Sequence, residues 1–199
     1  MKSKIKNKAK MFTGGKSKNW DREKNDYYAT PPDDTRYFLE NYFDISKFKT
    51  ILEPACGEGH MSEVIREFNE NITSYDLIDR GYQDKVINFL KDDISYNFDL
   101  IITNPPFSKA IEFVEKGLKI SDTVVILAKI QLLEGISRSN KMVDMPLKNI
   151  YGSSSRINCW RGGKENNPKT GKAWSGAMFL AWYVFKKGYE GKPIYDWIV

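Results

Sequence analysis

The chain has 199 residues, 41% of them hydrophobic and 14% aromatic, with a formal net charge of +5. This suffices for one domain with its own core, while no stretch approaches the roughly 20 uninterrupted apolar residues of a membrane span. Two cysteines, Cys56 and Cys159, and a single histidine, His60, are too few for a zinc site of the Cys/His type, so no metal is expected.

Residues 1–24 carry eight lysines and one arginine against Asp21 and Glu23, a balance of +7 that leaves −2 for the rest of the chain. No apolar block follows these lysines, so they do not read as a secretory signal. A reducing cytoplasm is the expected compartment, and nothing calls for a disulfide. The segment reads as a disordered basic tail, either a solubilising arm or one that follows phosphates and releases counterions. Gly14-Gly15-Lys16-Ser17 lacks the earlier glycine and the preceding strand of a phosphate-binding loop.

Tyr27-Tyr28-Ala29-Thr30-Pro31-Pro32 reads as extended and punctuated by proline. Asp33 or Asp34 is then placed to cap a helix running through Phe43. From residue 50 onward strands and helices alternate. Strand-like runs occur at 50–53, 72–77, 86–89, 100–103 and 123–128, with helical stretches at 61–68 and 110–119. In the second helix Ile111, Val114 and Leu118 share a stripe. This alternation predicts an α/β fold with helices on both faces of a mostly parallel sheet. Residues 132–176 are polar and loosely patterned, and the apolar run at 178–185 reads as a buried strand. Residues 25–199 are therefore expected to form one domain, with 132–176 as a substrate-facing insert.

Three motifs carry chemistry. Glu53-Pro54-Ala55-Cys56-Gly57-Glu58-Gly59 ends a strand and opens a helix through a glycine turn, where backbone approaches a ligand closely. In open α/β sheets cofactors lie at such carboxyl ends. Only two of the three glycines of the dinucleotide fingerprint are present. Asp76, 19 residues after Gly57, suits bidentate contact with the two hydroxyls of a ribose, with Asp79 as its competitor. Asn104-Pro105-Pro106-Phe107 follows an apolar strand. Its prolines donate no hydrogen bonds, so the loop offers carbonyl oxygens and a flat ring to a planar group bearing NH2.

Together these motifs resemble the amino-methylating S-adenosylmethionine methyltransferases, above all the adenine-N6 DNA methyltransferases of phages and restriction-modification systems. The resemblance covers roughly residues 27–130 and, more loosely, the strand at 178–185. It implies a Rossmann-like fold with a seven-stranded, mostly parallel sheet and an antiparallel C-terminal strand. It implies S-adenosylmethionine as cofactor, held by Tyr28, Thr30 and Pro31, by Glu53, Pro54, Ala55, Cys56, Gly57 and Gly59, and by Asp76, with Asn104 beside it. Asn88 and Phe89 occupy the position of the family's adenine contact, although the family often has an acid where Asn88 stands. The resemblance further implies that the Asn104 side-chain oxygen and the Pro105 carbonyl accept the two N–H bonds of the target amino group, with Pro106 shaping the loop and Phe107 stacking on the extruded base.

DNA is the expected substrate. The segment containing Arg156, Trp160, Arg161, Lys164, Lys169, Lys172 and Trp174 holds a single acid, Glu165, and interleaves cations with aromatics as nucleic-acid loops do. An RNA base or a protein glutamine is the alternative, and a module without activity is a third reading, disfavoured by the intact loops. No separate recognition domain follows the motifs, so sequence readout is expected either to be modest or to be shared with a second copy of the chain or a partner subunit.

Overall fold

In the computed structural model residues 26–174 and 178–199 are described. The basic tail and its Gly14-Gly15-Lys16-Ser17 lie outside them. After the short strand β1 (Tyr28–Ala29), helix α1 (Pro32–Asn41) begins. Its N-cap is Pro31, with no side-chain cap, in place of the expected Asp33 or Asp34. The reason is steric: proline has φ preset for the first helical turn and lacks an N–H that would be unpaired there anyway. The aspartates fall inside the first turn, where they favour the positive end of the helix dipole.

The alternation expected from residue 50 onward is realised as β2 (Ile51–Glu53), α2 (His60–Phe68), β3 (Ile72–Asp76), β4 (Lys85–Val86), β5 (Phe98–Thr103), α3 (Ala110–Ile120) and β6 (Ser121–Lys129). Beyond it lie α4 (Ile136–Val143), β7 (Leu147–Ser153), β8 (Trp160–Arg161), β9 (Leu180–Lys186) and β10 (Ile194–Ile198). The main sheet has eight strands in the order β10-β7-β9-β6-β5-β2-β3-β4. That is one more than expected, because β10 adds itself in parallel outside β7. The strand β9 runs antiparallel to both neighbours, β6 and β7, and all other pairings are parallel. The polar stretch 132–176 is thus not all insert: it supplies α4 to the outside and β7 to the sheet.

Side chains alternate between two core layers because the sheet is buried on both faces. Leu52, Ile101, Val124, Ile126, Tyr183 and Phe185 face α3 and α4, whose Val114 and Met142 join the same layer. Ile51, Leu100, Ile102, Val125, Leu127 and Trp182 face α1 and α2, with Phe38, Val64 and Ile65. Trp182 is fully buried and stacks on Phe38, with ring centroids 4.3 Å apart and planes 4° from parallel. Full burial of each such side chain contributes roughly 1.5–3 kcal/mol. The two layers hold the carboxyl ends of β2, β3 and β5 in register.

Candidate active site at the carboxyl ends of the strands

A cavity of about 350 Å³ lies at those carboxyl ends, lined by residues of four loops and of the segment before α1. Its size falls in the range of small-molecule sites. The first loop contributes Glu53, Pro54, Ala55 and Cys56, the second Asp76 and its neighbours, the third Asn88 and Phe89, and the fourth Asn104 and Pro106. Tyr28 and Thr30 close the near side. Eleven residues expected at a cofactor or catalytic site therefore line one cavity.

Gly57 and Gly59 sit behind it, with φ of +59° and +87°, the left-handed region where a Cβ is strained. The space a Cβ would need is filled by rings of the chain itself, Tyr27 at Gly57 and Tyr82 at Gly59. The close approach read from these glycines is thus made first of all by two tyrosines. The loop amides are tied down: Gly57 N–H donates to Asp76 Oδ2 at 2.8 Å and Glu58 N–H to the Tyr27 hydroxyl at 3.1 Å. Ile78 N–H takes the other oxygen, Asp76 Oδ1, at 2.8 Å. Asp76 therefore couples the first two loops, and each of its oxygens keeps further acceptor capacity toward the cavity it lines. Asp79, its competitor, is exposed, accepts from Gly81 N–H and Gln83, and is absent from the cavity wall.

Glu53 is buried and accepts a hydrogen bond from the Ser62 hydroxyl, which is 2.7 Å from Ser74 Oγ. Burial, the dominant influence, pushes its carboxyl up to about 8 in spite of that bond, and the neighbouring Asp76 adds to the rise. A carboxyl kept largely protonated in a ligand cavity is poised to ionise when a cation arrives.

Asn104 is held by its amide nitrogen. Nδ2 donates to the Tyr28 carbonyl at 2.8 Å and to Thr30 Oγ1 at 3.0 Å. Both N–H bonds of the amide are consumed, which leaves its acceptor oxygen for another donor. The segment 26–30 serves as a latch, since it also pairs with β8 in antiparallel fashion and its Asp26 accepts from Ser108. Phe107 does not reach the first cavity. It stacks on Tyr28, centroids 5.8 Å apart, and lines a second, smaller cavity of about 160 Å³ together with Lys129, Gln131 and Arg138. The Asn-Pro-Pro-Phe loop is a wall between two cavities, with Pro105 buried inside it.

The basic segment divides. Trp160 and Arg161 form β8 and are half-buried, Trp160 edge-on to His60 at 5.2 Å and Arg161 over Trp174 at 5.1 Å. Arg156, Lys164, Lys169 and Lys172 are exposed. Pro31 is the N-cap of α1 and does not line the cavity.

Four positions in the walls of the two cavities, Tyr27, His60, Arg80 and Lys129, were not singled out from sequence. Tyr27 lines the cavity beneath the Arg80 guanidinium, 4.0 Å from its ring centroid. Burial pushes its hydroxyl up to about 12. His60 also lines the cavity, with Nδ1 buried and unpartnered among the described residues, and burial lowers its pKa. Lys129 stands 4.8 Å over the Phe107 ring. Only Tyr27 and His60 had a legible signal, as neighbours of the motifs at Tyr28 and Gly59. Among the described residues no group of three or more metal-ligating side chains occurs and no helix is long and apolar enough to cross a membrane. Cys56 and Cys159 are both buried and free.

No protein-family model matches the sequence, and no curated protein does. Solved structures match closely in shape. The methyltransferase subunit of a type I restriction-modification system from Streptococcus thermophilus superposes with a TM-score of 0.61 at 11% identity, over 85% of this chain and 47% of that one. A Vibrio vulnificus protein assigned as the modification subunit of a type I restriction enzyme gives 0.59 at 14%, over 87% and 47%. A Pyrococcus horikoshii protein assigned as an RNA methyltransferase gives 0.58 at 13%, over 82% and 87%. The fold is that of the class I S-adenosylmethionine-dependent methyltransferases. The chain spans about half the length of the two restriction-system subunits.

Proposed function

We propose that the chain is an S-adenosylmethionine-dependent methyltransferase acting on the N6 amino group of adenine in DNA. The observation that carries this reading is the orientation of Asn104. Its amide N–H bonds are spent on Tyr28 and Thr30, so its oxygen remains to accept a hydrogen bond from a substrate amino group. The Pro105 carbonyl would accept the second.

The cavity fits the cofactor by its donor set. Asp76 suits ribose hydroxyls, Phe89 and Asn88 suit an adenine, and Glu53 suits a cation. Bound there, S-adenosylmethionine would supply an electrophilic methyl group. The chain's own contribution is positioning and complementarity to charge developing on the substrate nitrogen. Two acceptors draw electron density toward the nitrogen and aim its lone pair, while Phe107, on the side of the second cavity, offers a ring edge or face to an extruded base. DNA is favoured by the likeness to the two restriction-system proteins and by the exposed cations at 156–172. The likeness to the RNA methyltransferase supports an RNA base as the second reading, and a protein glutamine is the third.

Tritium transfer from labelled cofactor to DNA, RNA and protein tests this. Label is expected in DNA, at adenine N6. Asn104→Ala should lower the single-turnover rate by roughly 10²–10³-fold, as loss of one preorganised partner does, and should leave cofactor affinity nearly unchanged. Near-normal turnover by this variant would overturn the assignment of the loop, and label in RNA or protein alone would overturn the substrate.

A further inference from the structure

A third concavity, about 780 Å³, opens at the opposite end of the sheet, where the parallel strands begin. Six lysines line it: Lys47, Lys49, Lys119, Lys148, Lys186 and Lys187. All six are exposed. Three aspartates share the groove, and each is already engaged. Asp44 accepts from Ser46, Asp99 accepts from the backbone N–H groups of Lys49 and Thr50, and Asp122 pairs with Lys187 at 3.2 Å. Lys47 lies over the rings of Phe43 and Phe48. Lys49, Lys119 and Lys148 have no ion pair among the described residues.

The excess cation is therefore available to a ligand. Volume and charge spread argue for an extended polyanion over a single phosphate. The groove's aromatic side chains do not offer open faces: Phe43 stacks on Phe48 at 5.8 Å and on Phe38 at 5.8 Å, and Tyr42 meets Tyr151 edge-on. Recognition here must rest on charge and not on stacked bases. We propose that this groove binds the phosphodiester backbone of a nucleic acid without regard to sequence, as a second contact remote from the candidate active site.

The test uses the full chain and fluorescence anisotropy with a labelled 24-base-pair duplex, a 24-nucleotide single-stranded DNA and an RNA of that length, across 50–200 mM salt. Each lysine contact removed should reduce the slope of log affinity against log salt by about 1. Lys49→Glu, Lys119→Glu and Lys148→Glu together should lower affinity at 50 mM salt at least tenfold. The corresponding glutamine triple variant, gentler on folding, should give the slope change without charge reversal. Both should keep cofactor affinity and turnover at saturating substrate, and scrambling the probe sequence should change nothing. The tightest of the three probes identifies the source of the backbone. An unchanged slope in the glutamine variant would overturn the proposal. So would competition by poly-L-glutamate as strong as that of the oligonucleotides at equal charge, which would assign the groove to an acidic protein. Asn104→Ala leaves this slope in place, so failure of the groove and failure of the catalytic reading are seen separately.

Discussion

The two ends of one sheet make opposite demands on the chain. At the carboxyl ends, strands pass through turns into the starts of helices, and the cavity there gathers three carboxyls, Asp26, Glu53 and Asp76, the last two of them buried. At the amino ends, helices finish, and lysines collect: Lys119 sits in the last turn of α3, immediately before β6. A helix C-terminus carries partial negative charge and favours a nearby cation, while an N-terminus favours an anion. Because strands and helices alternate in one sense, this polarity repeats across the sheet. One end becomes a recessed pocket with buried carboxyls in its wall, the other an open, basic groove. Depth separates them too. At the carboxyl end Glu53 is buried and its carboxyl is pushed up by that burial, whereas the lysines are solvated and act through salt-screened attraction.

Three substitutions at the carboxyl end should leave the amino end untouched, and each would break the comparison if it did not. The largest effect is expected from Asp76→Ala. It strands the Gly57 and Ile78 N–H groups, each hydrogen bond to the carboxylate being worth roughly 1.5–3 kcal/mol. Cofactor affinity by calorimetry should fall at least tenfold and the melting temperature should drop, with the salt slope of DNA binding unchanged. Unaltered affinity would remove Asp76 from the site.

Phe107→Ala should be milder. It removes the ring that stacks on Tyr28 and would support an extruded base, a contact of about 1–3 kcal/mol. Substrate KM should rise by more than the single-turnover rate falls. A loss equal to that of Asn104→Ala would mean that the ring acts on the reacting nitrogen itself.

The smallest effect is the pH dependence set by Glu53. Its pKa in the folded protein, about 8, is raised above the ordinary 4.5. The folded state binds the extra proton between these values, so the stabilising contribution is complete below about 4.5 and lost as pH rises through about 8. A cation in the cavity favours the carboxylate, so binding releases a proton. Cofactor affinity should therefore increase with pH up to about 8 and level off above it. Glu53→Gln should flatten that profile, and should lose less stability than the native chain between pH 6 and 9 in thermal melts. A parallel profile in the variant would assign the titration elsewhere.

The strands at 51–53, 98–103 and 121–129 and helices α2 and α3 were legible because the strands are apolar on both faces and each helix carries a stripe, and the strand at 72–76 because Ile72, Thr73 and Tyr75 are β-formers. The last apolar run was legible for the same reason, though not its antiparallel place between β6 and β7. β7 was hidden because Lys148, Asn149 and Gly152 interrupt its apolar residues, of which Leu147 and Ile150 reach the core. Gly152 there leaves room for the Tyr195 hydroxyl of β10. β10 was hidden because only Ile198 of its five residues is buried. An edge strand solvated on its sides leaves little periodic signal.

Local chemistry is what the sequence by itself determined. Glycines that permit positive φ, prolines that remove donors and an acid at a strand end specify their own turns, because φ/ψ limits and hydrogen-bonding capacity belong to the residue. The tertiary structure alone decided which atoms those turns offer. Asn104 has an amide nitrogen and an amide oxygen, and only the latch at Tyr28 and Thr30, 76 and 74 residues away, commits the nitrogen and leaves the oxygen as the open acceptor. The lysines of the amino-end groove likewise come from four separate stretches of chain. They form one surface because the sheet's order brings the beginnings of β2, β6 and β7 and the end of β9 to the same end of the sheet, a coincidence in space that no local pattern encodes.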